Sequence, residues 1–219
     1  LPYPARDLID QNNLKIVQIS SARGCTGHCT FCASQLFWQK WRGMDTDRVI
    51  SEIKHIKEKY GIDKFNFIDG SFDDPGGEST RYLEIAQKII DEKLNIYYYI
   101  HLQADFHKKA TPEIMRILKE SGLCSVCIGI EAGNEEDLKL YGKRADLDDI
   151  EKTVNLLREY DIAIEPGFIN FNPYSTFDRL MKNVDFLHKM KLAKNIEYIG
   201  MHYHMSKGTA LYNKVKKDN

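Results

Sequence analysis

Cys25-Thr26-Gly27-His28-Cys29-Thr30-Phe31-Cys32 places three thiols at spacings of four and three within one short loop. The loop has no fourth cysteine. Iron–sulfur clusters usually take four thiolates, so three leave one iron with a vacant position, where chemistry can occur. A zinc site completed by a residue such as His28, or three unrelated thiols, are the other readings of the same loop. Gly24 and Gly27 let the backbone wrap closely around a bound group. The chain has five cysteines, an odd number, and the remaining two are Cys124 and Cys127. A secreted disulfide framework would pair them, so a reducing cytoplasm is the better reading.

Outward from the loop, apolar strand-like runs alternate with amphipathic helical runs. Strands are predicted at Ile16–Ser20, Lys64–Ile68, Ile96–Leu102, Ser125–Ile130, Ile162–Ile169 and Ile196–Tyr203. Between them, helices are predicted near 47–60, 79–93, 112–121, 135–140 and 148–160. A fifth helix unit opens at Ser175 with Asp178 in a capping-box-like arrangement, and a short helix follows Gly208-Thr209. Thr111-Pro112-Glu113 reads as an N-cap followed by proline at the first helical position. Six β–α units in series argue for an α/β protein with a parallel sheet and helices outside.

The Cys-x3-Cys-x2-Cys spacing, with Phe31 just before the last thiol, is the signature of the radical S-adenosylmethionine enzymes. From about residue 14 to residue 213 the chain resembles that superfamily. It is most similar to the catalytic core of its cobalamin-binding members. Leu1 to Leu8, Phe37-Trp38, the run from Glu131 to Arg144 and the turn Pro173-Tyr174-Ser175-Thr176 carry the subgroup likeness. The resemblance implies a partial (β/α)6 TIM-like barrel at residues 14–219, preceded by a linker remnant at 1–13. It implies a [4Fe-4S] cluster on Cys25, Cys29 and Cys32. It also implies reductive cleavage of S-adenosylmethionine to a 5′-deoxyadenosyl radical that abstracts hydrogen from a substrate. A cobalamin-dependent methyltransferase is the implied whole; a stand-alone radical oxidoreductase or epimerase and a non-catalytic zinc-loop module are the alternatives.

In a parallel barrel the βα loops gather at the C-terminal ends of the strands, where active sites form. The cofactor-binding candidates fall there. Phe31 shields one side of the cluster from solvent, and its main chain resembles the one that meets adenine in the superfamily. Asp69 and Gly70 end the second strand, where the superfamily contacts the methionine amino group, often through backbone carbonyls; relatives often have two acids, this chain has Gly70 at the second place, and a capping or turn aspartate is the other reading of Asp69. Gln103 stands where relatives often place an arginine. Cys127-Ile-Gly-Ile-Glu131-Ala-Gly-Asn134 resembles the ribose motif, and a carboxylate accepts from both ribose hydroxyls. Lys143 or Arg144 pairs the methionine carboxylate. Phe168 and Ile169 face adenine. His202 and His204 line the substrate side or the barrel mouth. Cys124 and Cys127 are expected as core thiols, and Tyr97 to Tyr99 as core and rim packing. Phe37, Trp38 and Trp41 are expected to cover the cluster or meet a neighbouring domain.

Net charge is −1 over 219 residues, with 42% hydrophobic and 29% charged side chains. That balance gives no electrostatic grip on nucleic acid, and no apolar run reaches the ~20 residues of a spanning helix. The opening Leu1-Pro2-Tyr3-Pro4 reads as a fragment or a processed start. The resemblance adds an external electron donor of flavodoxin or ferredoxin type and an N-terminal cobalamin-binding domain as partners. The substrate is not legible.

Overall fold

Alternation along the strands decides which face meets the helices. The computed structural model describes residues 3–8, 14–38, 40–73, 80–195 and 205–218. Its main sheet holds β1 (Val17–Ile19), β4 (Lys64–Phe67), β5 (Tyr97–Leu102), β6 (Leu123–Glu131) and β7 (Ala163–Phe168). These five pair in that order, all in parallel. Val17, Ile19, Phe65, Phe67, Tyr98, Ile100, Leu102, Val126, Ile128 and Ile130 are buried on one face. The helices cover this face, the arrangement expected of a partial barrel with helices outside. The predicted sixth strand, Ile196–Tyr203, lies outside the described residues.

The helices are α1 (Ser34–Phe37), α2 (Thr46–Tyr60), α3 (Arg81–Asp91), α4 (Pro112–Glu120), α5 (Glu135–Leu140), α6 (Leu147–Glu159), α7 (Phe177–Lys189) and α8 (Ala210–Asp218). α2 shows why such segments are helical. Asp45 caps it by accepting from Arg48 N, and Gly61 ends it at φ +66°. Val49, Ile50, Ile53 and Ile56 form its buried stripe. Thr111 caps α4 as expected. α7 begins later than the sequence suggests, because Thr176 and not Ser175 accepts from Arg179 N; the Ser175 hydroxyl instead accepts from Asn172 N.

A second sheet escaped the sequence reading. β2 (Ala22–Arg23) and β3 (Arg42–Gly43) pair antiparallel and pinch the two ends of the cysteine segment together. Two residues each are too few to show a period. The segment before the sheet also packs on it: Arg6 pairs with Glu52 at 2.7 Å and donates to Gln18 O, and Tyr3 stacks on His55.

On the other face of the sheet, Asn66, Tyr99 and His101 are half-buried and Glu165 is exposed. With Tyr97 and Cys124 they line a cavity of about 740 Å³. Two expectations change here. Cys124 is exposed and not a core thiol. Cys127 is half-buried on a residue position that alternates away from the helix core, and burial pushes its thiol up to about 11. Of the three tyrosines, only Tyr98 is core; its hydroxyl bonds to Ser121 Oγ at 2.6 Å.

Ile53 is fully buried beneath the sheet. Ile53→Ala is expected to cost roughly 2–5 kcal/mol in urea unfolding; a cost near zero would contradict the packing described.

Candidate functional site

The cysteine loop leaves β2 and is held from three sides. Below it lies Asp69, just past β4. The Asp69 carboxylate is buried and accepts from Ser21 N at 2.8 Å, from Ala22 N at 2.9 Å and from the Ser21 hydroxyl. Burial raises its pKa, against the pull of these bonds and of Arg81. Arg81 in turn donates to Ser21 Oγ, Ser21 O and Met44 O, fastening β2 and β3 to the same point. The Asp69 side chain is spent on the turn before the thiols, as in the turn reading of this aspartate. Its carbonyl oxygen accepts from His101 Nδ1 at 3.0 Å.

Gly70 sits against the loop itself. A Cβ there would lie 3.0 Å from Gly24 O and 3.1 Å from Cys25 Cβ. The close approach explains why a glycine stands where relatives have a second acid. Behind the loop, Gln35 on α1 donates to Cys25 O at 3.2 Å and to Gly27 O at 2.5 Å.

The third hold comes from across the sheet. Thr30 N donates to Tyr141 O at 2.9 Å, and the Thr30 hydroxyl to Leu140 O at 2.7 Å. Gly142, at φ +65°, leaves room for Thr30 and His28; a Cβ would stand 3.1 Å from Thr30 Cγ2. Phe31 packs edge-on against Tyr141 at 5.4 Å. Leu211 N of α8 donates to Thr30 O at 2.8 Å.

Cys25, Cys29 and Cys32 form no disulfide and are half-buried. Gly27 N points at Cys25 Sγ (3.3 Å) and Ser34 N at Cys32 Sγ (3.4 Å). Gln103 Nε2 lies 3.5 Å from Cys25 Sγ. Burial raises the Cys29 thiol, Lys143 opposes this, and Glu131 and Cys32 add to it. Ligation to iron would therefore have to displace a proton. Among the described residues no three His, Cys, Asp or Glu side chains converge on one ion, and His28 is exposed.

Glu131 ends β6 in the left-handed region at φ +70°, where the ladder to β7 shifts register. Strain at a non-glycine residue marks a place where side-chain direction matters. The Glu131 carboxylate folds back over Gly129, where a Cβ would stand 2.7 Å from Oε1. Lys143 Nζ lies 3.8 Å from it, with only 7% of the Lys143 side chain exposed. Burial raises the Glu131 carboxyl, and Lys143 opposes that. Arg144, by contrast, is exposed and 3.9 Å from Asp105. Of the two cations, Lys143 is the one turned inward. Cys29, Gln103, Lys143 and Arg144 nonetheless share one cleft.

Phe168 and Ile169 follow alongside, with Ile169 N donating to Glu131 O at 2.8 Å. His202 and His204 lie outside the described residues. Gln35 and Tyr141 were missed by the sequence reading; neither belongs to the cysteine spacing, and only the fold brings them to the loop.

A family model described as the Radical SAM superfamily matches residues 19–187. The chain belongs to the radical SAM superfamily. Members of this superfamily use a [4Fe-4S] cluster and S-adenosylmethionine. Over 199 residues the chain is 26% identical to an uncharacterized methyltransferase of Pyrococcus horikoshii, covering 88% of this chain and 42% of that protein. Over 150 residues it is 27% identical to an anaerobic magnesium-protoporphyrin IX monomethyl ester cyclase of Cereibacter sphaeroides, covering 68% and 24%. The solved structure of the cobalamin-dependent S-adenosylmethionine radical enzyme OxsB with aqua-cobalamin superposes with a TM-score of 0.79 at 20% identity. That match covers 92% of this chain and 35% of OxsB. The chain thus spans less than half the length of these relatives.

Gly70→Ala is expected to push the loop off its seat. Iron bound after anaerobic reconstitution should fall well below about four per chain, with the far-ultraviolet dichroism unchanged. Full iron content would contradict the close packing.

Proposed function

We propose that this chain is the radical-generating core of a cobalamin-dependent methyltransferase. The half-buried trio Cys25, Cys29 and Cys32, beside the Glu131–Lys143 pair, carries the reading. When bound, the cluster and S-adenosylmethionine supply the one-electron cleavage of the sulfonium.

The chain's own residues do the holding. Three thiolates bind iron, and the Gly27 and Ser34 amides stabilise the charge on Cys25 and Cys32. Glu131 accepts from the ribose hydroxyls, and Lys143 neutralises a carboxylate beside it. Phe168 and Ile169 give adenine an apolar wall, and Phe31 keeps water from the cluster. Gln103 orients Cys25 without adding charge.

The methyltransferase part rests on the Pyrococcus horikoshii relative, and the cobalamin part on the likeness in fold to cobalamin-dependent OxsB. A cobalamin-binding domain N-terminal to residues 1–13 and an external electron donor complete the proposed assembly. Free thiols suit a reducing cytoplasm. Among the described residues no helix is long and apolar enough to cross a membrane. A second reading, radical chemistry without methyl transfer, is favoured by the cyclase relative.

Anaerobic reconstitution with iron and sulfide, then dithionite and S-adenosylmethionine, should give a brown protein that releases 5′-deoxyadenosine. Loss of any one of the three cysteines to Ala should abolish this. Methylated product formed without cobalamin would remove the cobalamin-dependent assignment, and a colourless zinc protein would remove the radical core. Glu131→Gln should weaken S-adenosylmethionine binding about tenfold, the loss of a charge-assisted pair of bonds; unchanged affinity in equilibrium dialysis would exclude the ribose role.

A further inference from the structure

From Gln11 to Met44 the chain has four Lys or Arg and no Asp or Glu, although it carries 31 basic and 32 acidic side chains overall. Two of the four, Arg23 and Arg42, stand directly opposite each other across β2 and β3. Like charges so placed are destabilising. Both guanidinium groups lie over the Trp38 ring, at 5.4 and 5.7 Å. Lys40 is exposed nearby in sequence, and Lys207 is exposed beside Gly208, which packs on Leu36. Among the described residues, no carboxylate pairs with Arg23, Lys40, Arg42 or Lys207. Apolar surface completes the patch: Phe37 is 76% exposed and Leu36 48%. Phe37 faces solvent, which fits the second of its two readings, contact with a neighbouring surface.

The patch grows directly out of the metal-binding loop. α1 starts two residues after Cys32, and Phe37 lies only about 5 Å further along its axis. The cluster of the proposed function takes up one electron for each cleavage, and a donor has to reach it. A face that is cationic, aromatic and next to the electron acceptor fits one kind of visitor.

We infer that Arg23, Arg42, Lys40 and Phe37 form the docking surface for a small acidic electron-carrier protein of flavodoxin type. The inference rests on the radical-core reading, because the cluster is what needs the electron. The reduced carrier loses one electron and the oxidised cluster gains one; no group is transferred. Acidic side chains around the carrier's flavin complement the four cations and steer encounter. Phe37 and Leu36 meet the apolar edge of the flavin. A small, charge-steered face suits a partner that must leave after each delivery.

Titration of the reconstituted chain with oxidised flavodoxin, by calorimetry at low and high salt, tests the surface without turnover. Affinity should fall at least tenfold on going from about 20 to about 300 mM salt. The double variant Arg23→Glu/Arg42→Glu should weaken low-salt binding at least tenfold, and Phe37→Ala about threefold. Lys59→Glu/Lys64→Glu, at the opposite end of the strands, should not change it. Reversing both arginines swaps one like-charge pair for another, so Lys40→Glu is the second probe should that variant not fold. In turnover, the arginine variant should lose 5′-deoxyadenosine formation with reduced flavodoxin and keep it with dithionite. Binding that is absent, insensitive to salt, or equally weakened by the control pair overturns the inference, as it would if another segment of the intact protein covers this face. A chain that yields no nucleoside even with dithionite fails the radical-core reading, and the titration still decides the surface.

Discussion

The Asp69 carboxylate is the constraint on which the site depends. It is a buried anion that takes two main-chain amides and a hydroxyl from Ser21 and Ala22. Leaving those donors unmade would cost on the order of 1–3 kcal/mol each. The chain after β1 is therefore fixed to the end of β4 before it reaches the first thiol. Arg81 extends the same knot to Met44, beyond the last thiol. Both ends of a segment rich in irregular backbone are thereby tied to one sheet edge, and only the middle is left to wrap a cluster.

The opposite wall solves a different problem. Glu131 must present an anion at the end of a strand without disrupting the sheet. A left-handed residue and a register shift turn its side chain back over Gly129, the one place where no Cβ stands in the way. Lys143 shares the pocket and offsets part of the desolvation cost of the carboxylate. Strain, glycine and lysine are separate features in the sequence and a single device in the fold.

That difference explains what was legible. The five strands of the main sheet were found to within two residues of their ends, because a half-buried strand writes its alternation into the sequence. The three thiols were legible because a metal loop is local, and Glu131 because its strand ran straight to it. Asp69 stayed open between two readings, since an acid at a strand end looks the same whether it faces a ligand or a turn. Lys143 and Arg144 could not be separated, as neighbours on a loop differ in direction and not in pattern. Gln35, Tyr141 and the β2–β3 pair depend on contacts across the fold, which no local period records.

Thr30 joins its own loop to two later stretches of chain, each more than one hundred residues further on: the turn at Leu140–Tyr141 and the start of α8. Through that residue, order at the metal loop and order at a distant helix become one cooperative property. Damage to the inorganic centre would then register far away, as fraying of a terminal segment before the sheet itself gives way.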